Sequence, residues 1–159
     1  MPEYTIYVGA DHRGFEKKNE LIELLKGCHP GMVKVEDLGP DHYDENDDYN
    51  DMAVAVAKAV LDTENSFGVL TCGSAHGVTM QANRFKGIRA VNADSVESAK
   101  HARTNDYANV ICLSADYLDL EMMENLVKTF CHTQPIKSEN YERRAQKLDL
   151  DYNTEKDRV

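Results

Sequence analysis

Five apolar runs of strand length alternate with segments of helical period along this chain, and few folds accept that order. The runs are TIYVGA (5–10), MVKVEDLG (32–39), FGVLTCG (67–73), IRAVNA (88–93) and VICLSA (110–115). Between them, 14–27 places Leu21, Ile22, Leu24 and Leu25 on one helical face, and Gly27 supplies a stop. Helical spacing returns at 49–62, with small residues suited to close packing, at 77–87, ended by Gly87, and at 95–106. Two further helices, 119–132 and 138–151, close the chain. Strands separated by helices require right-handed crossovers and hence a mostly parallel sheet. Near-continuous apolar strands require cover on both faces. The expectation is an α/β protein of three layers, α/β/α, with a five-stranded mostly parallel sheet. One domain spans 1–159, and about 150–159 reads as a frayed tail.

Composition narrows the function classes. With 42% hydrophobic and 29% charged residues the chain is globular, not disordered. A formal charge of -10 argues against nucleic acid and anionic membranes as partners. No apolar run approaches a membrane span, and the N-terminus lacks a signal-peptide pattern, so a cytoplasmic location is expected. Cys28, Cys72, Cys112 and Cys131 form no C-x-x-C pair and read as free thiols. The acidic run DHYDENDDYND (41–51) fails as a calcium loop, because Tyr49 stands where glycine is required and Ala55 where the closing glutamate is. It reads as a solvated loop.

Parallel α/β sheets bind ligands outside the carboxyl ends of their strands. That rule selects GADHRG after the first strand, TCGSAHG after the third and NADS after the fourth. In the second, Gly73 and Gly77 bracket a turn whose free N–H groups suit an anion. Cys72 stands beside those donors, which would favour its thiolate, and Ser74 adds a hydroxyl. The loop lacks the Gly-Lys-Ser/Thr of a P-loop and the G-x-G-x-x-G of a dinucleotide site. Val78 stands where a cysteine phosphatase needs arginine. Two readings remain from these residues: a cysteine base beside an anion hole, suited to removing a proton next to a carbonyl, or a buried cysteine packed under a turn.

The motifs together resemble one family. GADHRGFEKK is similar to the opening Asp-His-x-Gly-Phe of the type B ribose-5-phosphate isomerases and the related galactose-6-phosphate isomerase subunits. DDYND sits where that family has Asp-Tyr-Pro, and GVLTCGSAHGVTMQANRFKGIRAV is similar throughout to its active-site segment. The resemblance implies a Rossmann-like homodimer, or a higher homo-oligomer, that interconverts aldose and ketose phosphates without metal or organic cofactor and borrows residues across its interface. Its partner would be a small sugar or sugar phosphate. Carried over, Cys72 would move a proton between C1 and C2, and Ser74 would pass one between O1 and O2. Backbone N–H groups of Gly73, Ser74, Ala75, His76 and Gly77 would hold the enediolate. Asp11 and His12 would bind the sugar and assist ring opening, and Tyr49 and Asn83 would shape the pocket. Plainer roles stand beside these: Asp11 as a helix cap, His12 as a turn residue, Tyr49 as core, and Asn83 docked on a neighbouring loop.

The chain departs from that pattern where substrate is recognised. The family's ring-opening histidine falls on Asn105, or on Thr104 with a one-residue slip, and neither is an acid–base group near neutral pH. His76 is a candidate for the missing role. The family's arginine after strand five is Asp116. Asn140 replaces a second arginine, while Arg144 is kept and Arg143 adjoins it. Two lost guanidinium forks, at about 1.5–3 kcal/mol per charge-assisted bond, weaken phosphate binding by roughly a hundredfold or more. Ala75 stands where the family has glycine. The expectation is an aldose–ketose isomerase acting on ribose 5-phosphate, another sugar phosphate or an unphosphorylated sugar. The alternatives are a non-catalytic or partner-dependent sugar-binding subunit and a nucleotide-binding module.

Overall fold

The computed structural model describes residues 3–28 and 31–153. Its strands are β1 (Tyr4–Ala10), β2 (Val33–Asp37), β3 (Ser66–Cys72), β4 (Ala90–Asn92) and β5 (Val110–Ser114). They form one sheet in the order β2-β1-β3-β5-β4, and every pairing is parallel. The helices are α1 (Phe15–Cys28), α2 (Tyr49–Asp62), α3 (His76–Ala82), α4 (Val96–Asp106), α5 (Leu120–His132) and α6 (Glu139–Leu148).

Side chains alternate across the sheet, so β1, β3 and β5 feed cores on both of its faces. Ile111 and Leu113 of β5 join Ile6, Val8 and Val69 under α1, α4 and α5, where Leu21, Leu126 and Phe130 are fully covered. Val110 and Cys112 join Leu70 and Cys72 under α2 and α3, against Val56, Ala57, Val78 and Ala82. The α2 side admits close approach because β3 offers no side chain at one point: a Cβ on Gly68 would lie 2.7 Å from Val56 Cγ1. A parallel sheet with helices on both faces is therefore confirmed, and it is all-parallel.

Several boundaries differ from the sequence expectation. Helix 77–87 ends at Ala82, since the Asn83 side chain turns away to bond Ala90 on both its N–H (2.8 Å) and its C=O (2.9 Å). Strand 88–93 shrinks to three residues because β4 is an edge strand, and Arg89 is drawn instead into bonds with Tyr107 and Asp149. Past the end of α6 the Leu150 N–H bonds Lys147 O, and the Tyr152 hydroxyl donates to the same carbonyl. Residues 154–159 of the expected tail lie outside the described residues.

The chain leaves β1 toward β2 on one side and returns through β3 on the other. The carboxyl ends of β1 and β3 thus flank the switch in strand order, where a crevice opens in sheets of this kind. Ala10 pairs with Thr71, so the next residues out, Asp11 and Cys72, stand at that point.

Candidate active site

Asp11 is stapled across the switch point: its N–H donates to Thr71 O at 3.2 Å. Its carboxylate accepts from Arg13 N (3.0 Å) and Gly14 N (3.1 Å), capping the 3-10 turn that leads into α1. The capping role is thus real, and Asp11 is only 5% exposed. Burial raises its pKa, opposed by the Gly14 N–H and by the His12 charge.

His12 is held by a residue that the sequence reading left in a solvated loop. Asp47 Oδ1 accepts from the His12 backbone N–H at 3.1 Å and lies 2.7 Å from its ring Nδ1. This bond, above all, raises the His12 pKa. The acidic run therefore divides: Asp47 turns inward, and among the described residues no group of His, Cys, Asp and Glu from that run is placed to hold a metal. Only position could have marked Asp47, since its type matches its solvated neighbours.

The loop after β3 is locked from the far side by β5. Ala115 N donates to Cys72 O (2.9 Å), while Ser114 Oγ (2.6 Å) and Asp116 N (3.1 Å) both donate to Gly73 O. The backbone N–H groups of Val78, Ala75 and Ser74 favour the anionic form of Cys72. Cys72 is 4% exposed, and burial outweighs these donors. The thiol pKa is raised by burial and by the Asp11 charge, against the expectation that the donors would leave a ready thiolate. Ala75 adopts a left-handed conformation, φ 67°, and is fully buried. Glycine fits that backbone without strain, which is the physical content of the family's preference there. Ser74 Oγ accepts from His76 N at 3.3 Å. Asn92, the last residue of β4, reaches the same loop through Ser74 O (3.4 Å) and His76 Nδ1 (3.3 Å).

Tyr49 opens α2 and lays its ring on Gly77: a Cβ there would lie 2.6 Å from Tyr49 Cζ. The ring and the glycine are one packing unit. Gly77→Ala is expected to cost about 1–3 kcal/mol and, by displacing loop or ring, to lower turnover by about 10²-fold. Chemical denaturation and steady-state kinetics check both, and a variant with native Tm and rate would show that the ring yields freely.

Three expected site residues lie elsewhere in the chain. α4 carries the chain back from β4 to the start of β5, so Asn105, near its end, sits toward the amino ends of the strands, whereas Cys72 sits at a carboxyl end. There its Oδ1 accepts from Thr104 Oγ1 at 2.7 Å. Arg144 is on α6, which runs between Ile136, bonded to Thr104 O, and Asp149, paired with Arg89. Asn83 spends its amide on Ala90, the first residue of β4.

A buried thiol at the end of β3 and a buried carboxylate at the end of β1 thus stand side by side at the switch point of an α/β scaffold. The comparisons give it a family. A family model described as Ribose/Galactose Isomerase matches residues 6–148, and the chain belongs to that family. It is 38% identical over 131 residues to a probable ribose-5-phosphate isomerase B of Mycoplasma pneumoniae, covering 82% of this chain and 84% of that one. It is 36% identical over 123 residues to D-erythrulose-4-phosphate isomerase 2 of Mycolicibacterium smegmatis, covering 77% and 80%. Among solved structures, ribose-5-phosphate isomerase B of Mycoplasma genitalium with bound ribulose-5-phosphate superposes with a TM-score of 0.84 at 34% identity, covering 94% of this chain and 96% of that one. These relatives are isomerases, which favours the enzyme reading over the sugar-binding subunit and the nucleotide module.

Proposed function

We propose that this chain isomerises an aldose phosphate to the ketose phosphate, with ribose 5-phosphate as first substrate, using Cys72 as the base. The observation that carries the reading is a buried thiol at the end of β3, one position beyond the Ala10–Thr71 pair that sets Asp11 beside it, with the N–H groups of Val78, Ala75 and Ser74 favouring its anion. The thiolate takes the proton from C2 of the open-chain aldose as the C1 carbonyl becomes an enediolate oxygen. Loop amides of residues 73–77 hold that charge. The proton returns to C1, and Ser74 passes the hydroxyl proton between O2 and O1, leaving the ketone at C2. Substrate and product are isomers, so no oxidant enters. A raised thiol pKa makes this base strong once ionised and keeps its ionised fraction small near neutral pH. His12, held by Asp47, and His76 are the imidazoles in reach for opening the sugar ring.

Asn105 and Arg144, away from the carboxyl ends of the strands in their own chain, support a homodimer in which a second copy brings them to the crevice. Four free thiols support a cytoplasmic setting. Among the described residues no helix is long and apolar enough to cross a membrane.

The test is solvent exchange. Incubation with ribose 5-phosphate in deuterium oxide is expected to label the sugar at the transferred position and form ribulose 5-phosphate. Absence of both with a panel of four- to six-carbon aldose phosphates would remove the reading.

Asp47 can be tested separately. Because the folded-state His12 pKa is raised, the pair stabilises the fold fully below the ordinary histidine pKa of about 6.5. That contribution fades as pH rises through the elevated value. Asp47→Asn is expected to move the His12 titration downward and to remove this pH-dependent stability. Proton NMR of the imidazole Cε1–H reads the first directly, and an unmoved titration would clear Asp47 of the role.

A further inference from the structure

We infer that Arg13 is a substrate-anion residue of this site, poised by Asp116 to receive the terminal phosphate of the sugar; this rests on the isomerase reading above. Arg13 follows His12 in the first loop, and its guanidinium lies flat over the Cys72 loop. A Cβ on Gly73 would meet Arg13 Cζ and Nε at 2.8 Å each. One edge of the guanidinium, at Nη2, is paired with Asp116 Oδ2. Its Nε and Nη1 donors have no partner among the described residues, and its side chain is 56% exposed.

The pairing is built rather than incidental. Asp116 is anchored through its N–H to Gly73 O (3.1 Å), the carbonyl that Ser114 also holds. The segment behind it is tied to α1 by Lys17, whose ammonium donates to Ala115 O (2.7 Å) and Leu118 O (2.5 Å). Asp116 therefore does not project a bare carboxylate at the substrate. Its charge is met by a cation lying over the loop beside the base, with donors left over for a second anion. Guanidinium suits this double duty, because its planar fork serves two acceptors at once and stays charged. Phosphate arriving there competes with Asp116 for Nη2 and gains Nε and Nη1. The carboxylate thus orients the arginine and at the same time weakens its hold on substrate.

That competition predicts effects of opposite sign. Inorganic phosphate binding is read by calorimetry, and KM is read separately for ribose 5-phosphate and for unphosphorylated ribose. Arg13→Ala is expected to weaken phosphate and raise KM for ribose 5-phosphate by about tenfold or more, and to change KM for ribose much less. Arg13→Lys is expected to fall between, having lost the fork. Asp116→Asn is expected to tighten phosphate several-fold by freeing the guanidinium. A structural role for the pair predicts instead that both substitutions damage the fold, lower Tm together and affect both sugars alike. Unchanged phosphate affinity in Arg13→Ala, or weaker binding in Asp116→Asn, would overturn the assignment. So would a wild-type chain that isomerises ribose 5-phosphate yet does not respond to phosphate. Because calorimetry needs no turnover, loss of the isomerase reading and loss of the Arg13 role are seen separately.

Discussion

Cys72→Ser is expected to lower kcat by about 10²–10⁴-fold, the range general acid–base groups contribute, with little change in substrate affinity. The substitution is nearly isosteric and its site is 4% exposed, so the loop that β5 clamps through Gly73 O keeps its shape. A serine hydroxyl, however, has no accessible anion near neutral pH. Cys72→Ala should fall at least as far, and in both variants exchange of deuterium into the sugar should stop together with isomerisation. The wild-type rate should climb with pH into the alkaline range, because burial holds the thiol above its ordinary pKa. That limb should vanish in both variants. A serine variant that turned over like wild type would transfer the role of base to another group, and Asp11, buried at the same switch point with a raised pKa, would be next in line.

Asp37→Ala is expected to destabilise the protein by about 3 kcal/mol or more, the usual cost of stranding a buried charge. Lys18 lies on the inner face of α1 and is fully buried. Its ammonium bonds both oxygens of Asp37 at 2.8 Å and Pro40 O at 3.0 Å. Asp37 also accepts from the Gly39 N–H at 2.8 Å, and Gly39 O accepts from Ala10 N at 3.1 Å. One carboxylate thus closes the end of β2 against β1, next to Asp11. Lys18→Met should be milder, since an apolar chain of similar length removes the charge instead of orphaning it. Urea denaturation of the two variants gives the comparison. A loss below about 1 kcal/mol in Asp37→Ala would mean that Pro40 O and water satisfy the ammonium without it.

Much of this protein is written in short-range pattern. Alternation of apolar runs with helical segments sufficed for a covered parallel sheet, because parallel strands cannot be joined without crossovers and their faces cannot stay wet. The glycines around Cys72 marked the loop, since a turn at a strand end in such a sheet faces the ligand crevice whatever the side chains elsewhere do. What only the tertiary structure decided depended on partners distant in sequence. Asp47 looked like its solvated neighbours until His12, 35 positions away, claimed it. Asp116 marks only a lost arginine in the sequence, whereas in the fold Arg13, 103 positions away, is paired with it. Lys18 sat on a helical face whose burial local periodicity reveals but whose counter-charge on β2 it does not. The thiol went the other way: donors visible in sequence promised a thiolate, and desolvation, which depends on everything packed around Cys72, outweighed them. Periodicity is a property of neighbours along the chain, whereas charge pairing and dielectric are properties of neighbours in space. That is why the scaffold could be read from the residues in order and the electrostatics of the site could not.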